Sequence, residues 1–358
     1  MARCLVGCGS NLGRRREQLD RAVELLRFMP GVRMLAVSRY RETRPVGGLP
    51  GQAAYLNGAC LFETDLGPHD VLDMLAAVEN TLHRERTERW GERTVDLDLL
   101  LYDDLVVDDA RLTLPHPRMV TRRFVLEPAV EIAAEFPHPL AACPLRELLA
   151  NLSAPHPLVA VVGAPGSGAP EVAAVVADAM MARAIHAPRP LPAAAPAQAW
   201  HDLLAAWTRP LAAAGWPADP HGTIADFWLE AVPAAAAGCL APAEVARLEA
   251  EVARAAASLP APQVVILLVA GADVLEERLA FRAGRGASRT DVFADVAAAT
   301  ATLPALPVSA AALAAMQDRL AARLRSPGPR TPKAVVTIDA GELARAADEA
   351  TAAVEAMV

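Results

Sequence analysis

The sequence lacks several features that would assign it to a protein class at once. Its 34 basic residues include a single lysine, Lys333, and no dense basic tract accompanies the net charge of −8. That balance argues against a nucleic-acid partner. No apolar run reaches the roughly 20 residues needed to span a membrane, and the first residues lack the long apolar core of a secretory signal. We therefore expect a cytoplasmic protein with no membrane partner.

Cysteine is also scarce, and its pattern excludes a disulfide framework. The five cysteines are odd in number and scattered along the chain: Cys4, Cys8, Cys60, Cys143 and Cys239. Small disulfide-stabilised domains have paired cysteines at close, regular spacing. We expect all five to be reduced, buried thiols, with Cys4 and Cys8 packed in a core rather than binding a metal.

The chain of 358 residues is long enough for two domains, each with its own core. Ser153, Pro155 and Pro157 interrupt regular structure, so we predict domains over residues 1–155 and 156–358. Hydrophobic periodicity predicts alternating strands and helices in the first half: Leu5–Cys8, Arg16–Phe28, Val32–Arg41, Tyr55–Thr64, Pro68–Leu82 and Arg93–Tyr102. This β-α-β-β-α-β order is typical of an α+β ferredoxin-like domain.

The last of these strands has an unusual charge pattern. Side chains alternate between the faces of a strand, so Asp96 and Asp98 share one face and Leu97 lies on the other. Two adjacent carboxylates repel each other unless a cation is nearby, and Mg²⁺ takes oxygen ligands of this kind. Arg84, Arg86, Arg89 and Arg93 precede the strand and are suited to phosphate. The pattern indicates phosphoryl transfer, although spacing alone also fits a solvated surface with weak ion pairs.

Further motifs in the first half occur in a fixed order. They are Gly9-Ser10-Asn11-Leu12-Gly13, Tyr40 to Gly47, Tyr55 to Ala59, Glu79, the segment from Arg84 to Asp98, Leu112 to Met119, and Arg122 to Phe124. With these motifs, Leu5 to Leu149 resembles the 6-hydroxymethyl-7,8-dihydropterin pyrophosphokinases of folate biosynthesis. The resemblance implies a transferase that uses ATP and Mg²⁺, with the pterin as its second small-molecule substrate.

The same resemblance implies roles for individual residues. Asp96 and Asp98 would bind two Mg²⁺ ions and form the catalytic set with Arg84 and Arg93. Contacts to ATP would come from Arg84, Arg86, Trp90, Arg93, Arg111, Thr113, His116 and Arg122. The pterin would be bound by Thr43, Pro45, Val46, Tyr55, Asn57 and Phe124. Gly9, Ser10 and Asn11 would form the floor of the pocket. Each aromatic or polar residue taken singly also fits a structural role, because a buried Tyr or Phe is usually part of a core.

Four positions depart from the family pattern. Arg44 and Glu92 stand where the family commonly has proline, His83 where it has glycine, and Ala76 where a glutamine is frequent. None of these departures removes a proposed metal ligand or phosphate-binding arginine. We therefore expect altered affinity rather than loss of the reaction.

The second half predicts an α/β domain with a parallel sheet. A buried strand, Leu158–Gly163, leads through a glycine-rich loop to a helix over Glu171–Arg183, which is the layout of a phosphate-binding P-loop. The layout resembles the deoxynucleoside kinases. However, Ala169 and Pro170 replace the lysine and hydroxyl residue that would bind phosphate and Mg²⁺. We expect a non-catalytic kinase-like module fused to the first domain. The alternatives are a divergent nucleoside kinase, which would make the chain bifunctional, and a pseudoenzyme that acts as an interaction module. The second domain is also a candidate interface for a homodimer.

Overall fold

The computed structural model describes residues 1–46, 51–82, 93–153, 157–187, 195–212, 221–284, 309–326, 332 and 334–358. The chain divides into two compact units. The first comprises Met1–Ser153 together with Glu355–Val358, and the second comprises Ala154–Val354. The boundary predicted at residues 155/156 stays a prediction, and it did not anticipate that the last four residues lie in the first unit.

The first unit is built on an antiparallel sheet with the strand order β2-β4-β1-β5, in which β3 also pairs with β4. The strands are β1 (Ala2–Ser10), β2 (Val32–Val37), β3 (Arg41–Thr43), β4 (Tyr55–Thr64) and β5 (Asp96–Tyr102). Two helices connect them, α1 (Arg15–Arg27) and α2 (Pro68–Thr81). The predicted order of strands and helices is therefore present, with one additional short strand.

Alternation along β1 separates the two faces of this sheet. Cys4, Val6 and Cys8 pack into a core with apolar residues of α1 and α2. The intervening residues, among them Gly7 and Gly9, point to the opposite face. The remaining elements of the first unit are β6 (Val107–Asp108), β7 (Thr113–Leu114), a 3₁₀ turn (Met119–Thr121), α3 (Arg123–Ala133), β8 (Pro137–His138), β9 (Cys143–Pro144) and α4 (Leu145–Leu152).

The second unit contains a five-stranded parallel sheet with the order β11-β12-β10-β13-β14. Its strands are β10 (Leu158–Gly163), β11 (Arg183–Ile185), β12 (Thr223–Ala225), β13 (Val264–Val269) and β14 (Val335–Asp339). Its described helices are α5 (Ala169–Ala179), α6 (Ala197–Ala212), α7 (Ala231–Ala236), α8 (Pro242–Ala256), α9 (Ala272–Gly284), α10 (Ala310–Arg325) and α11 (Leu343–Glu355). The central strands are buried on both faces, which explains why their sequences do not alternate.

Two predicted elements end four residues before their expected limits. The strand expected over Val32–Arg41 is interrupted after Val37, where the Ser38 hydroxyl donates to the Arg39 carbonyl and accepts from the Ala59 N–H. Pairing with β4 resumes at Arg41 in β3. The helix expected to reach Arg183 ends at Ala179. Met181 then has a φ of +52°, which an α-helix does not accommodate, and Arg183 begins β11.

The cysteine prediction was only partly correct. All five thiols are free, but Cys239 is exposed and Cys143 half-buried, while Cys4, Cys8 and Cys60 are buried. Across the described part of the chain, no helix has the length and apolar character that crossing a membrane requires.

Candidate active site

The register of β1 aligns the predicted pterin and metal residues. Gly9 lies opposite Asn57 on β4 and opposite Asp96 on β5, and Gly7 lies opposite Asp98. Directly opposed residues of an antiparallel sheet point to the same face, so Asn57, Asp96 and Asp98 share the face away from α1 and α2. A Cβ atom at Gly9 would stand 2.9 Å from Oδ1 of Asn57. Glycine therefore leaves the space that the Asn57 amide uses.

Each of the two aspartates lies near an arginine. Arg93 Nη1 is 2.5 Å from Asp96 Oδ2, and Arg122 Nη1 is 3.8 Å from Asp98 Oδ2. Burial alone would lower the pKa of Arg93, but Asp96 outweighs this effect and the pKa is raised. The pKa of Arg122 is lowered by burial, with partial compensation from Asp98. The described residues thus form two ion pairs on one edge of the sheet.

Two buried polar side chains hold the start of β5 in place. Asn11 Oδ1 accepts a hydrogen bond from the backbone N–H of Arg93 at 2.7 Å, and the Asn11 N–H donates to the Arg93 carbonyl at 3.1 Å. Glu79 Oε1 accepts from the N–H of Leu97 at 2.7 Å. These contacts fix the backbone on either side of Asp96. Sequence reasoning gave Asn11 only a scaffold role and Glu79 none, although a buried carboxylate on a helix facing the sheet signals such a contact.

His116 follows the short strand β7 and approaches the same edge. The backbone N–H of His116 donates to the Leu100 carbonyl at 2.9 Å, and the ring Nδ1 accepts from the backbone N–H of Arg118 at 3.2 Å. Burial lowers the pKa of His116 to about 4; Asp98 opposes this shift, and Arg122 and Arg118 add to it. The imidazole is therefore neutral at pH 7. Because Nδ1 accepts a hydrogen bond, Nε2 carries the proton and can donate to an anionic oxygen.

The predicted pterin residues lie on β3 and β4, in the segment after β3, and at the start of α3. Asn57 Nδ2 donates to Thr43 Oγ1 at 2.7 Å, and Thr43 lies opposite Tyr55 across the β3–β4 pair. Phe124 lies in the first turn of α3, where the guanidinium of Arg122 stands 5.7 Å from the centre of its ring. Pro45 and Val46 follow β3 and are half-buried. Their roles in the pocket remain predictions.

The structure does not bring every predicted residue to this edge. Arg111 Nη2 pairs with Asp73 of α2 at 2.5 Å, and Thr113 is exposed on β7. Arg84, Arg86 and Trp90 lie outside the described residues, as do His83 and Glu92. Within the described ranges, no three or more His, Cys, Asp or Glu side chains cluster in a way that could hold a metal ion. Asp96 and Asp98 are thus a two-carboxylate set.

The glycine-rich loop of the second unit joins the parallel strand β10 to helix α5. Gly166 and Gly168 have φ values of +88° and +86°, and a Cβ at Gly168 would collide with Leu343. Arg278 donates to the carbonyls of Gly166 at 3.4 Å and Gly341 at 2.9 Å. Helix α5 then begins with Ala169 and Pro170. The loop is packed against side chains of its own unit.

One polar pair lies at the carboxyl ends of neighbouring strands in the second unit. His186 Nδ1 is 2.8 Å from Asp226 Oδ2, and Asp226 Oδ1 accepts from the N–H of Ala187 at 2.6 Å. Burial raises the pKa of Asp226, and the nearby carboxylate of Glu171 adds to the shift. The pair joins the ends of β11 and β12.

Comparison with known proteins identifies relatives of the first unit. The family model for 7,8-dihydro-6-hydroxymethylpterin-pyrophosphokinase (HPPK) matches residues 5–134. A 2-amino-4-hydroxy-6-hydroxymethyldihydropteridine pyrophosphokinase from Methylorubrum extorquens is 40% identical over 152 residues, covering 42% of this chain and 94% of the relative. The enzyme of the same name from Pseudomonas aeruginosa is 39% identical over 152 residues, covering 40% and 93%. The solved deoxyadenosine kinase from M. mycoides aligns with 54% of this chain and 95% of its own at 13% identity, but its TM-score of 0.34 is too low to assign a fold.

Proposed function

The chain belongs to the 7,8-dihydro-6-hydroxymethylpterin-pyrophosphokinase family, and we propose that its first unit carries the reaction on the face of its sheet that lies away from α1 and α2. The enzyme transfers pyrophosphate from ATP to 6-hydroxymethyl-7,8-dihydropterin in folate biosynthesis. The hydroxymethyl oxygen bonds to the β-phosphorus of ATP, the bond from that phosphorus to the α–β bridging oxygen breaks, and AMP leaves. The observation that carries the proposal is the alignment of Asn57, Asp96 and Asp98 through Gly9 and Gly7. We further assign the sheet and its two connecting helices to the ferredoxin-like type.

The two aspartates fit Mg²⁺. They share one face of β5, and their side chains are 19% and 37% exposed, so ligand oxygens are accessible. Mg²⁺ is usually bound by one or two carboxylates, with substrate phosphates and water completing the shell. We propose that Asp96 and Asp98 hold Mg²⁺, which when bound neutralises phosphate charge.

The cationic side chains would bind the triphosphate. Arg93 and Arg122 place two guanidinium groups beside the aspartates, and such groups bind phosphate through paired N–H donors. We assign His116 Nε2 as a neutral donor to a phosphate oxygen, which its lowered pKa supports. Arg84, Arg86, Trp90, Arg111 and Thr113 remain proposed ATP contacts on the strength of the family motifs alone.

The pterin would lie beside Asn57. A flat, polar ring needs an amide to recognise its edge and aromatic faces to stack on. Asn57 is buried and its amide is oriented by Thr43, which supports the first role. Tyr55 and Phe124 would provide the stacking faces, with Pro45 and Val46 lining the slot.

AMP formation tests this assignment directly. The full chain should release AMP from Mg·ATP only when the pterin is present. At saturating pterin, residues 1–155 alone should retain turnover, because every side chain proposed to contact a substrate or Mg²⁺ precedes residue 155. A folded but inactive fragment beside an active full chain would show that residues after 155, which include the last four residues of the first unit, contribute to catalysis. Pterin-independent AMP release would contradict the substrate assignment.

For the second unit we propose a kinase-like module without phosphotransfer activity. Ala169 and Pro170 supply neither the charge nor the hydroxyl that a P-loop needs, and Leu343 and Arg278 already contact its glycines. Dimerisation through this unit and a divergent nucleoside kinase are the alternatives. Sedimentation of the full chain and nucleoside kinase assays distinguish them.

A further inference from the structure

The last residues of the chain are built into the first unit. Ala356 and Met357 are 4% and 5% exposed, and both belong to the unit that carries the candidate active site. Buried backbone carbonyls need hydrogen-bond donors. Both carbonyls receive one from the same residue, Arg123.

Arg123 begins helix α3, whose N-terminus has no side-chain cap. The first N–H groups of a helix have no partner within the helix and must find one elsewhere. The backbone N–H of Arg123 donates to the Ala356 carbonyl at 2.8 Å. The tail therefore provides the cap that the sequence around Arg122 does not.

The Arg123 side chain strengthens this connection. Its Nε donates to the Met357 carbonyl at 3.0 Å, and its Nη2 donates to the Leu152 carbonyl at 3.2 Å at the end of α4. Glu127, one turn further along α3, lies 3.7 Å from Nη1 and balances the charge. One planar guanidinium thus joins the tail, α3 and α4.

The residues on either side of Arg123 face the candidate site. Arg122 approaches Asp98 and stands over the ring of Phe124. Because the three residues are consecutive at a helix start, the position of the Arg123 backbone determines where its two neighbours enter the site.

We propose that Arg123 and the tail Glu355–Val358 position Phe124, and secondarily Arg122, for pterin binding. This inference rests on the proposed function of the first unit. Arg123 is a positioning residue, since its guanidinium contacts the tail and α4 rather than the substrate-binding side chains. Arg122 has an ionic partner of its own, Asp98 in the free chain and, as proposed, phosphate in the nucleotide complex, so the loss should fall mainly on the pterin.

The test uses full-length chains and two alterations of the same connection. Deletion of residues 356–358 removes both carbonyls, and Arg123→Ala removes the guanidinium. Arg123→Lys keeps the positive charge but lacks the planar guanidinium that donates to the carbonyls of the tail and of α4. Arg33→Ala is the matched control. Arg33 lies on the edge strand β2, and the change removes its ion pair with Glu63 on β4. Pterin binding is titrated by fluorescence in the presence of a non-hydrolysable ATP analogue, and the analogue is titrated separately.

We expect the deletion and Arg123→Ala each to weaken pterin binding about tenfold, which is less than the roughly 100-fold effect that a 1 Å misplacement can have. Affinity for the analogue should change less than threefold, Arg123→Lys should be intermediate, and combining deletion with Arg123→Ala should add little. Hydrogen exchange at the Arg123 amide should accelerate in the deletion while exchange in β1 stays unchanged.

Two outcomes would overturn the inference. Pterin affinity within twofold of the unaltered chain in both alterations would show that the tail does not position the site. An equal loss for both ligands, with faster exchange throughout the first unit, would show a general effect on stability. Failure of the unaltered chain to bind the pterin would instead reject the proposed function, and rapid exchange at Arg123 in that chain would reject the tail contact itself.

Discussion

The two units differ in the side chains that accompany their strands. In the first, a strand carries Asp96 and Asp98 beside Arg93 and Arg122, so charges of both signs lie on one edge of the sheet. In the second, the strand β10 leads through a glycine-rich loop into helix α5, which begins with Ala169 and Pro170. From this difference we infer that a strand, a glycine-rich loop and a helix need suitable side chains before they can transfer phosphate.

The use of arginine makes the contrast sharper. Arg93 and Arg122 pair with carboxylates that Mg²⁺ could take over, which would free the guanidinium groups for phosphate. Arg278 of the second unit donates to the carbonyls of Gly166 and Gly341, so at least two of its donors hold the fold together. Positive charge beside a loop therefore has a structural use in one unit and a proposed catalytic use in the other.

The largest effect is expected on turnover when the charge of Asp96 or Asp98 is removed. Asp98→Asn and Asp96→Asn each remove a proposed Mg²⁺ ligand while keeping the shape of the side chain. We expect turnover to fall at least about 100-fold, since metal binding contributes several kcal/mol to such transition states. Steady-state AMP formation at saturating Mg²⁺ measures this. Asp108→Asn, an exposed change on β6, is the control, and normal turnover in either site variant would remove that aspartate from the metal site.

A smaller effect separates the pterin from the nucleotide. Asn57→Ala leaves polar ring groups unpaired, which costs about 1–3 kcal/mol. Gly9→Ala should act in the same direction, because its Cβ would stand 2.9 Å from Oδ1 of Asn57. Isothermal titration should show weaker pterin binding and unchanged binding of an ATP analogue. The reverse pattern would mean that the two pockets are exchanged.

A third prediction concerns stability away from the site. Burial lowers the pKa of His138 from 6.5 to about 4, and its Nδ1 accepts a hydrogen bond from the Ala141 N–H. Between these values the unfolded chain binds more protons than the folded one, so stability is lost as the pH falls from 6.5 towards 4. Between pH 7.5 and pH 5 the contribution of His138 to the loss is about 2 kcal/mol.

His138→Asn keeps an acceptor near the Nδ1 position but does not titrate. Hydrogen exchange of β1 amides reports opening of the first unit, and its pH dependence should become shallower in this variant. The control is His69→Asn, which changes a histidine of the same unit that is only half-buried. An unchanged slope in His138→Asn would show that His138 is not the group responsible.

Sequence reasoning reached the first unit because its signals are local. Strand alternation separates Asp96 from Leu97, and the spacing of apolar residues gives α1 and α2 almost to the residue. It missed contacts that depend on distant pairing, such as Glu79 with the Leu97 N–H and Arg123 with the tail. It also missed β11, because a three-residue strand contains too little pattern and owes its place to pairing with β12.

The smallest expected effect is in the second unit, where we predict no phosphotransfer at all. Asp98→Asn is introduced into the full chain to suppress the activity of the first unit. This variant is incubated with Mg·ATP and each deoxynucleoside in turn. A P-loop acts by surrounding the β- and γ-phosphates with N–H groups, a lysine charge and a Mg²⁺-binding hydroxyl, and Ala169 and Pro170 provide neither side chain.

Adding Ala169→Lys and Pro170→Thr to that chain restores the lysine and the hydroxyl that a P-loop has. This variant tests whether those two side chains are enough for phosphotransfer. We expect this variant to stay inactive as well, because Leu343 still packs against Gly168 and Arg278 still holds the carbonyl of Gly166. Chromatographic detection of nucleoside monophosphates measures both chains. Product from the restored variant alone would mean that the two side chains were the only missing parts. Product from the chain with native Ala169 and Pro170 would mean that another residue supplies the charge, and the second unit would then be a working kinase.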